Sequence, residues 1–317
     1  MDLYKIKKET LEPIDRESFK LEKDIQSIVE KNIETLFNLE FISTEFSVGD
    51  FRLDSLCFDN ETNSFVVIEY KKGSSYSVID QGYSYMSVML NNKSDFILEY
   101  IEKTGKTLKK SEVDFSQSRI IFISPSFNSY QKNSVNFKDV PFELWEIKKF
   151  SNNTISLNQH LSSSKESIQK IEGNKNSVIK SVSKQVKVYD EDYHLNQISE
   201  KNNILYSKLK EELINFGDVV LDYKKTYISF KKNNVIICYT IFRKEHLILE
   251  IVKGNVKSDG SKSKGFFTLD DPKNISKIKN FKFSEGSRRE YYNIKLSNLN
   301  DVGYCLLLIK QKYDTFN

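Results

Sequence analysis

Cysteine is scarce in this chain. There are three in 317 residues, Cys57, Cys238 and Cys305, far apart and each inside an apolar run. No CxxC pair offers itself to zinc, and the spacing gives no disulfide framework, so the three read as reduced core residues of a cytosolic protein. Histidine is as sparse: three in all, unclustered, which argues against a zinc centre or histidine-based catalysis. No run approaches the roughly 18 apolar residues of a membrane span, so no membrane partner is expected. The opening MDLYKIKKET has basic residues with no apolar stretch behind them and does not read as a signal peptide. A cytoplasmic location follows as an expectation. An excess of one charge is lacking too: 48 Lys and Arg against 44 Asp and Glu leave +4, which permits a nucleic-acid partner without requiring one. With 29% charged and 38% hydrophobic residues the chain reads as globular rather than disordered. Its length suffices for two domains.

What the chain does have is a hairpin that breaks its own pattern. Phe51–Phe58 alternates, with Phe51, Leu53, Ser55 and Cys57 on one face and Arg52, Asp54, Leu56 and Phe58 on the other. Asp59-Asn60-Glu61-Thr62-Asn63 is rich in turn formers. Phe65-Val66-Val67-Ile68 is the continuous apolar run of a strand buried on both faces. Glu69-Tyr70-Lys71 then follows. A carboxylate and an ammonium two residues apart share a strand face. If Asp54 lies on the neighbouring strand, two acids and one lysine converge. Adjacent acids repel unless a cation lies between them, and hard oxygen ligands suit Mg²⁺ or Mn²⁺.

Helices are expected on either side of this hairpin. Ser18 is a good N-cap for a helix running to about Asn38, with Ile25, Val29, Ile33 and Leu36 at helical spacing. Glu22 sits in the middle of that stripe, Gln26 lies on the same flank, and Glu30 is a rival to Glu22. A carboxylate centred on a buried face needs a partner; the alternative is a solvated first turn, where the helix dipole favours Glu. After Lys72-Gly73 a second helix, about Ser77 to Leu90, carries Val78, Gly82, Tyr85 and Met89 on its apolar face. Gln81 is within a turn of both Val78 and Tyr85.

Asp54, a hairpin and Glu69-x-Lys71 together resemble the active-site signature of the PD-(D/E)XK nuclease superfamily. The wording Arg52-Leu53-Asp54 and Val67-Ile68-Glu69-Tyr70-Lys71 is most similar to its NucS-like and RecB-like branches, over residues 19–150. A bare D…ExK triple recurs by chance in Lys/Glu-rich chains; here the strand context sharpens it. The resemblance implies an α/β fold, a restriction-endonuclease-like mixed sheet flanked by helices. It implies metal-dependent hydrolysis of phosphodiester bonds with Mg²⁺ (or Mn²⁺), on DNA, in restriction, repair or phage defence. Carried over to this chain, the catalytic residues are Asp54, Glu69, Lys71 and Gln81. The metal would be held by Asp54, Glu69, the Tyr70 carbonyl and Glu22 of the first helix. Arg52, Lys72 and Tyr85 would face the nucleic acid. Gln81-x-x-x-Tyr85 resembles the Q-x-x-x-Y element of RecB-like nucleases, whose glutamine helps hold the lysine and the DNA. Many members act as dimers, so a homodimer is a further expectation. The alternative is a non-cutting nuclease-fold module that recruits DNA or a protein partner; an intact Asp54, Glu69 and Lys71 favours cutting.

The strand Arg119–Ser124, ended by Pro125, a helix within Ser126–Asn136 and a strand Phe142–Ile147 with Trp145 in the core complete a nuclease-like domain at 1–150. Residues 1–17 read as an arm or an edge strand. Residues 151–192, dominated by Ser, Asn and Lys, read as a basic linker. Residues 193–317 read as a smaller α+β accessory domain. It has a helix at Asn196–Phe216, strands at Val219–Asp222, Thr226–Lys231, Val235–Phe242 and Leu247–Val252, and a polar loop. A strand at 291–296 and a closing helix at Leu299–Tyr313 follow. In pattern and order it resembles a small domain often found C-terminal to nuclease-like domains. Arg243, Lys253, Lys257, Arg288 and Arg289 could give it a basic face.

Overall fold

A computed structural model describes residues 2–73, 77–162, 164, 166–168, 177–263, 265–282 and 286–316. It has two compact units, Met1–Val188 and Tyr189–Asn317.

The first unit begins with an antiparallel hairpin, β1 (Leu3–Lys7) with β2 (Thr10–Ile14), followed by β3 (Arg16–Glu17). Then come α1 (Glu22–Glu30), α2 (Ile33–Phe37), β4 (Glu40–Val48), β5 (Phe51–Asp59) and β6 (Ser64–Tyr70). Next are α3 (Val78–Asn91), α4 (Lys93–Thr104), β7 (Arg119–Ser124), α5 (Ser129–Ser134), β8 (Phe142–Phe150), β9 (Ile155–His160) and α6 (Ser177–Gln185). The sheet order is β3-β8-β7-β6-β5-β4, with β9 also paired to β8. β4, β5 and β6 are antiparallel, while β6, β7 and β8 are parallel, joined by helical crossovers. This is the expected mixed sheet flanked by helices. Every residue of β6 is buried, because both faces are covered. Ile25, Val29 and Ile33 meet Val66, Ile68 and Tyr70 on one side; Met86, Met89 and Phe96 meet Phe65 and Val67 on the other. Gly82 lets α3 approach β8, since a Cβ there would lie 2.6–2.8 Å from the Phe142 ring.

Two expectations differ from this. The helix expected from Ser18 to Asn38 is two helices. Phe19 is drawn into the core, so the cap moves to Leu21, whose N–H donates to Asp24 Oδ2 at 2.8 Å. The break comes at Asn32, whose side-chain nitrogen donates to the Ile28 carbonyl at 2.8 Å. The segment expected as a linker is also built into the first unit. β9 pairs with β8, α6 packs against α3, and Ile168, Ile179, Val182 and Val186 join the core. Its lysines hide this sparse apolar stripe from a reading of composition. Residues 163, 165 and 169–176 of that stretch lie outside the described residues.

The second unit has α7 (Glu191–Leu195), α8 (Glu200–Ile214) and α9 (Val302–Asp314) with an antiparallel sheet. Its strands are β10 (Val220–Tyr223), β11 (Ile228–Lys232), β12 (Val235–Phe242), β13 (Leu247–Val256), β14 (Lys277–Lys282) and β15 (Arg288–Leu296), in the order β10-β11-β12-β13-β15-β14. Leu205 and Leu209 of α8 and Leu308 and Ile309 of α9 pack with Leu249, Ile251 and Ile294. Asn233 and Asn234 turn β11 into β12 with φ of 50° and 61°, the left-handed pair of a two-residue hairpin. β14 lies at the sheet edge within the expected polar loop; all six of its residues are exposed, so no alternation of burial marks it in the sequence.

Candidate active site

The site forms where two strands part. β5 and β6 pair from Asp59–Ser64 to Ser55–Ile68 and no further. Beyond that point the Tyr70 N–H donates to Asp54 Oδ2 at 3.0 Å, so a carboxylate takes over from the backbone as acceptor. β6 itself stays on β7, with the Lys71 N–H donating to the Ile123 carbonyl at 2.9 Å. Asp54 therefore lies beside the peptide that joins Glu69 to Tyr70. On β4, Glu45 stands opposite Asp54 with a left-handed φ of 54°. The strict alternation expected of β5 fails here: Leu53 packs in the same core layer as Leu56 and Phe58, while Cys57 packs in the other.

Glu69 is 3% exposed. Its Oε1 accepts from Lys71 Nζ at 2.7 Å and from Gln81 Nε2 at 2.8 Å. The same Gln81 nitrogen donates to the Tyr85 hydroxyl at 2.8 Å, and the Tyr85 ring stands edge-on to Phe51. Glu69 Oε2 is buried and has no hydrogen-bond partner among the described residues. Burial first, then the Asp54 charge, push the Glu69 carboxyl up to about 7 against the pull of Lys71 and of the Tyr85 hydroxyl. Burial also raises Asp54, reinforced by the charges of Glu22 and Glu45 and opposed by the Tyr70 N–H and Lys71. The arrangement has more negative charge than its single lysine offsets.

The other expected residues fall unevenly around this pair. Glu22 is exposed, and its Oε1 accepts the Lys72 N–H at 2.7 Å. Among the described residues no three His, Cys, Asp or Glu side chains converge as a ready metal cage. Glu22 acts on Asp54 through its charge while its side chain is held to the chain after β6. The Tyr70 side chain is buried on the opposite side, its hydroxyl 3.1 Å from Ser55 Oγ, so only its carbonyl remains for an ion. Arg52 is exposed and paired with Glu45 at 2.7 Å. Lys72 Nζ donates to the Lys20 carbonyl. Tyr85, expected to face the nucleic acid, is buried and turned toward Gln81 and Glu69. Gln81 reaches Glu69 rather than Lys71. Sequence reasoning missed a polar group behind the fork, Gln26 with Thr44, Glu30 and Ser55. The four-residue spacing of Glu22, Gln26 and Glu30 is the signal that points to it.

A divalent cation fits these donors. Glu69 Oε2 is an orphaned buried acceptor, and both carboxyls are held above their ordinary range. Mg²⁺ needs only one or two carboxylates, completing its shell with water and phosphate oxygens.

No family model matches the chain. Among solved structures, a complex of EndoMS with double-stranded DNA aligns with 42% of this chain and 48% of its own, at 17% identity and a TM-score of 0.23. A repair endonuclease from Pyrococcus abyssi aligns with 42% of this chain and 59% of its own, at 15% identity and a TM-score of 0.23. EndoMS in its apo form aligns at 14% identity and a TM-score of 0.25, covering 59% of that chain. The present chain thus spans less than two thirds of each, and TM-scores so low leave its own geometry to carry the functional reading. A Haemophilus influenzae protein, described as uncharacterised, is 38% identical over 314 residues, 98% of this chain and 99% of its own. With that identity along almost the whole length of both, the chain belongs to the family of this Haemophilus influenzae protein.

Proposed function

We propose that the first unit is a divalent-metal-dependent nuclease that hydrolyses phosphodiester bonds, with DNA as substrate and restriction, repair or phage defence as its setting. The observation that carries this reading is Glu69. One of its oxygens is engaged by Lys71 and Gln81, the other is buried and orphaned, and Asp54 stands beside the following peptide. The choice of DNA rests on the resemblance of Asp54, Glu69-x-Lys71 and Gln81-x-x-x-Tyr85 to PD-(D/E)XK nucleases. Asp54 and Glu69 would hold the ion, which when bound would supply a water of lowered pKa and polarise the phosphate. The chain's own residues do the rest. Lys71 turns from Glu69 toward the scissile phosphate, where its charge offsets that of the transition state. Gln81, braced by Tyr85, keeps Glu69 Oε1 in place. Arg52 and Lys72 at the rim touch the backbone, contacts that carry no sequence information.

The test is incubation of supercoiled and linear DNA with the protein and Mg²⁺ or Mn²⁺, alongside Glu69→Ala and Lys71→Ala. Cleavage by the wild type, its abolition in Glu69→Ala and a loss of about a hundredfold or more in Lys71→Ala are expected. DNA that is bound but stays intact with every metal makes the unit a non-cutting recruitment module and ends the nuclease reading.

A further inference from the structure

Behind the fork lies a row of side chains that the proposed reaction leaves unused. Glu22, Gln26 and Glu30 stand four residues apart on α1, and so on one stripe of the helix. Glu22 accepts the Lys72 N–H just beyond β6. Gln26, only 6% exposed, directs its side-chain nitrogen to Glu30 Oε1 at 2.8 Å, the Thr44 hydroxyl at 3.0 Å and the Asp54 carbonyl at 3.1 Å. Glu30 Oε1 also accepts the Ser55 hydroxyl at 2.6 Å, and Ser55 in turn touches the Tyr70 hydroxyl. The surroundings fix the amide's orientation: a carbonyl and a carboxylate only accept, so the NH₂ must face them. Two hydrogens serve three acceptors, so at least one hydrogen is shared.

The placement of this row matters more than its size. The ladder between β5 and β6 stops at Ser55. One residue further, Gln26 supplies the Asp54 carbonyl with a donor, while Ser55, the last paired residue, is tied through Glu30. The α1 stripe stands in for a backbone ladder at the point where the strands separate.

We propose that Gln26 and Glu30 are positioning residues, gripping β5 and the end of β6 so that the Asp54 and Glu69 carboxylates keep the separation a shared cation requires. The inference rests on the metal-dependent reading of the site given above. Metal sites tolerate only a few tenths of an ångström in ligand position, and loosening the groups behind the ligands typically costs about 10–100-fold in affinity.

The experiment uses the full chain. Mn²⁺ binding is measured by calorimetry and by the electron paramagnetic resonance of the bound ion, with kcat and KM for DNA cleavage measured separately. Gln26→Leu and Glu30→Ala should each weaken Mn²⁺ binding about tenfold and lower kcat with KM little changed. Glu30→Gln keeps an oxygen for Ser55 and Gln26 and should recover to within about threefold of the wild type. If Gln26→Leu fails to fold, Ser55→Ala, which deletes one oxygen, should shift Mn²⁺ binding in the same direction by less. Variants that melt earlier yet bind Mn²⁺ like the wild type overturn the inference, because the row is then a brace for the fold alone. Wild-type Mn²⁺ binding that ignores Asp54→Asn and Glu69→Gln overturns the nuclease reading as well. Binding that needs Asp54 and Glu69 but not Gln26 or Glu30 overturns this inference alone.

Discussion

Burial and the Asp54 charge let Glu69 keep its proton up to about pH 7, whereas an unfolded glutamate loses it near 4.5. The folded metal-free chain therefore binds more protons than the unfolded one between those values, and linkage sets the sign. Glu69 favours the fold in acid, and that contribution is lost as pH rises through about 7. In chelator, Glu69→Gln should melt above the wild type at pH 8, with the gap closing or reversing at pH 5. Thermal melts at the two pH values check this, and a gap that is constant with pH would contradict it. Saturating Mg²⁺ at pH 8 should raise the wild-type melting temperature and leave Glu69→Gln unmoved. A ligand stabilises only the state that binds it, and the variant lacks the charge proposed to hold the ion.

At the scale of elements, α3 gives a matched pair with α9. Alanine in place of glycine inside a helix gains up to about 1 kcal/mol. At Gly82 that gain meets three Phe142 ring atoms at 2.6–2.8 Å, and the ring is itself buried. Overpacking costs about 1–3 kcal/mol, so the clash wins and Gly82→Ala should lower the melting temperature of the first unit. Gly303 of α9 has open space around it, so Gly303→Ala should raise that of the second by up to a few degrees. Differential scanning calorimetry of both variants decides the matter.

The same scale shows what could be read from the sequence. β6 announced itself as Phe65–Ile68, and the Glu69–Lys71 contact follows from the strand period; Gln81 was expected on Lys71 and instead reaches Glu69, a choice no helix period decides. Nor does the Asp54–Tyr70 contact follow from a period, because it arises only where a ladder ends. The break at Asn32 depends on one side chain turning back on its own helix, and α6 on a partner face nearly a hundred residues earlier. Gln26 was visible as a polar residue on an apolar flank, but its partners on β4 and β5 were not.

Each unit of the whole molecule has its own hydrophobic core, so truncation separates the boundary at 188 from one at 150. A chain ending at residue 150 loses Ile168, Ile179, Val182 and Val186, all buried against the first core. At about 1.5–3 kcal/mol for each side chain, that approaches the 5–15 kcal/mol that holds a typical domain together. Residues 1–188 should give a cooperative melt and dispersed amide resonances; residues 1–150 should be insoluble or molten. A well-folded 1–150 fragment would show that the later segment contributes little. At the other end of the chain, β14 is the last strand of the second sheet among the described residues. Lys279 is paired with Glu250, which leaves Lys277 and Lys282 as gatekeepers there: a second chain docking strand to strand must bring like charges together. Acetylating those two amines would lift the guard and leave Ile278 and Phe281, both exposed, on a more adhesive ribbon.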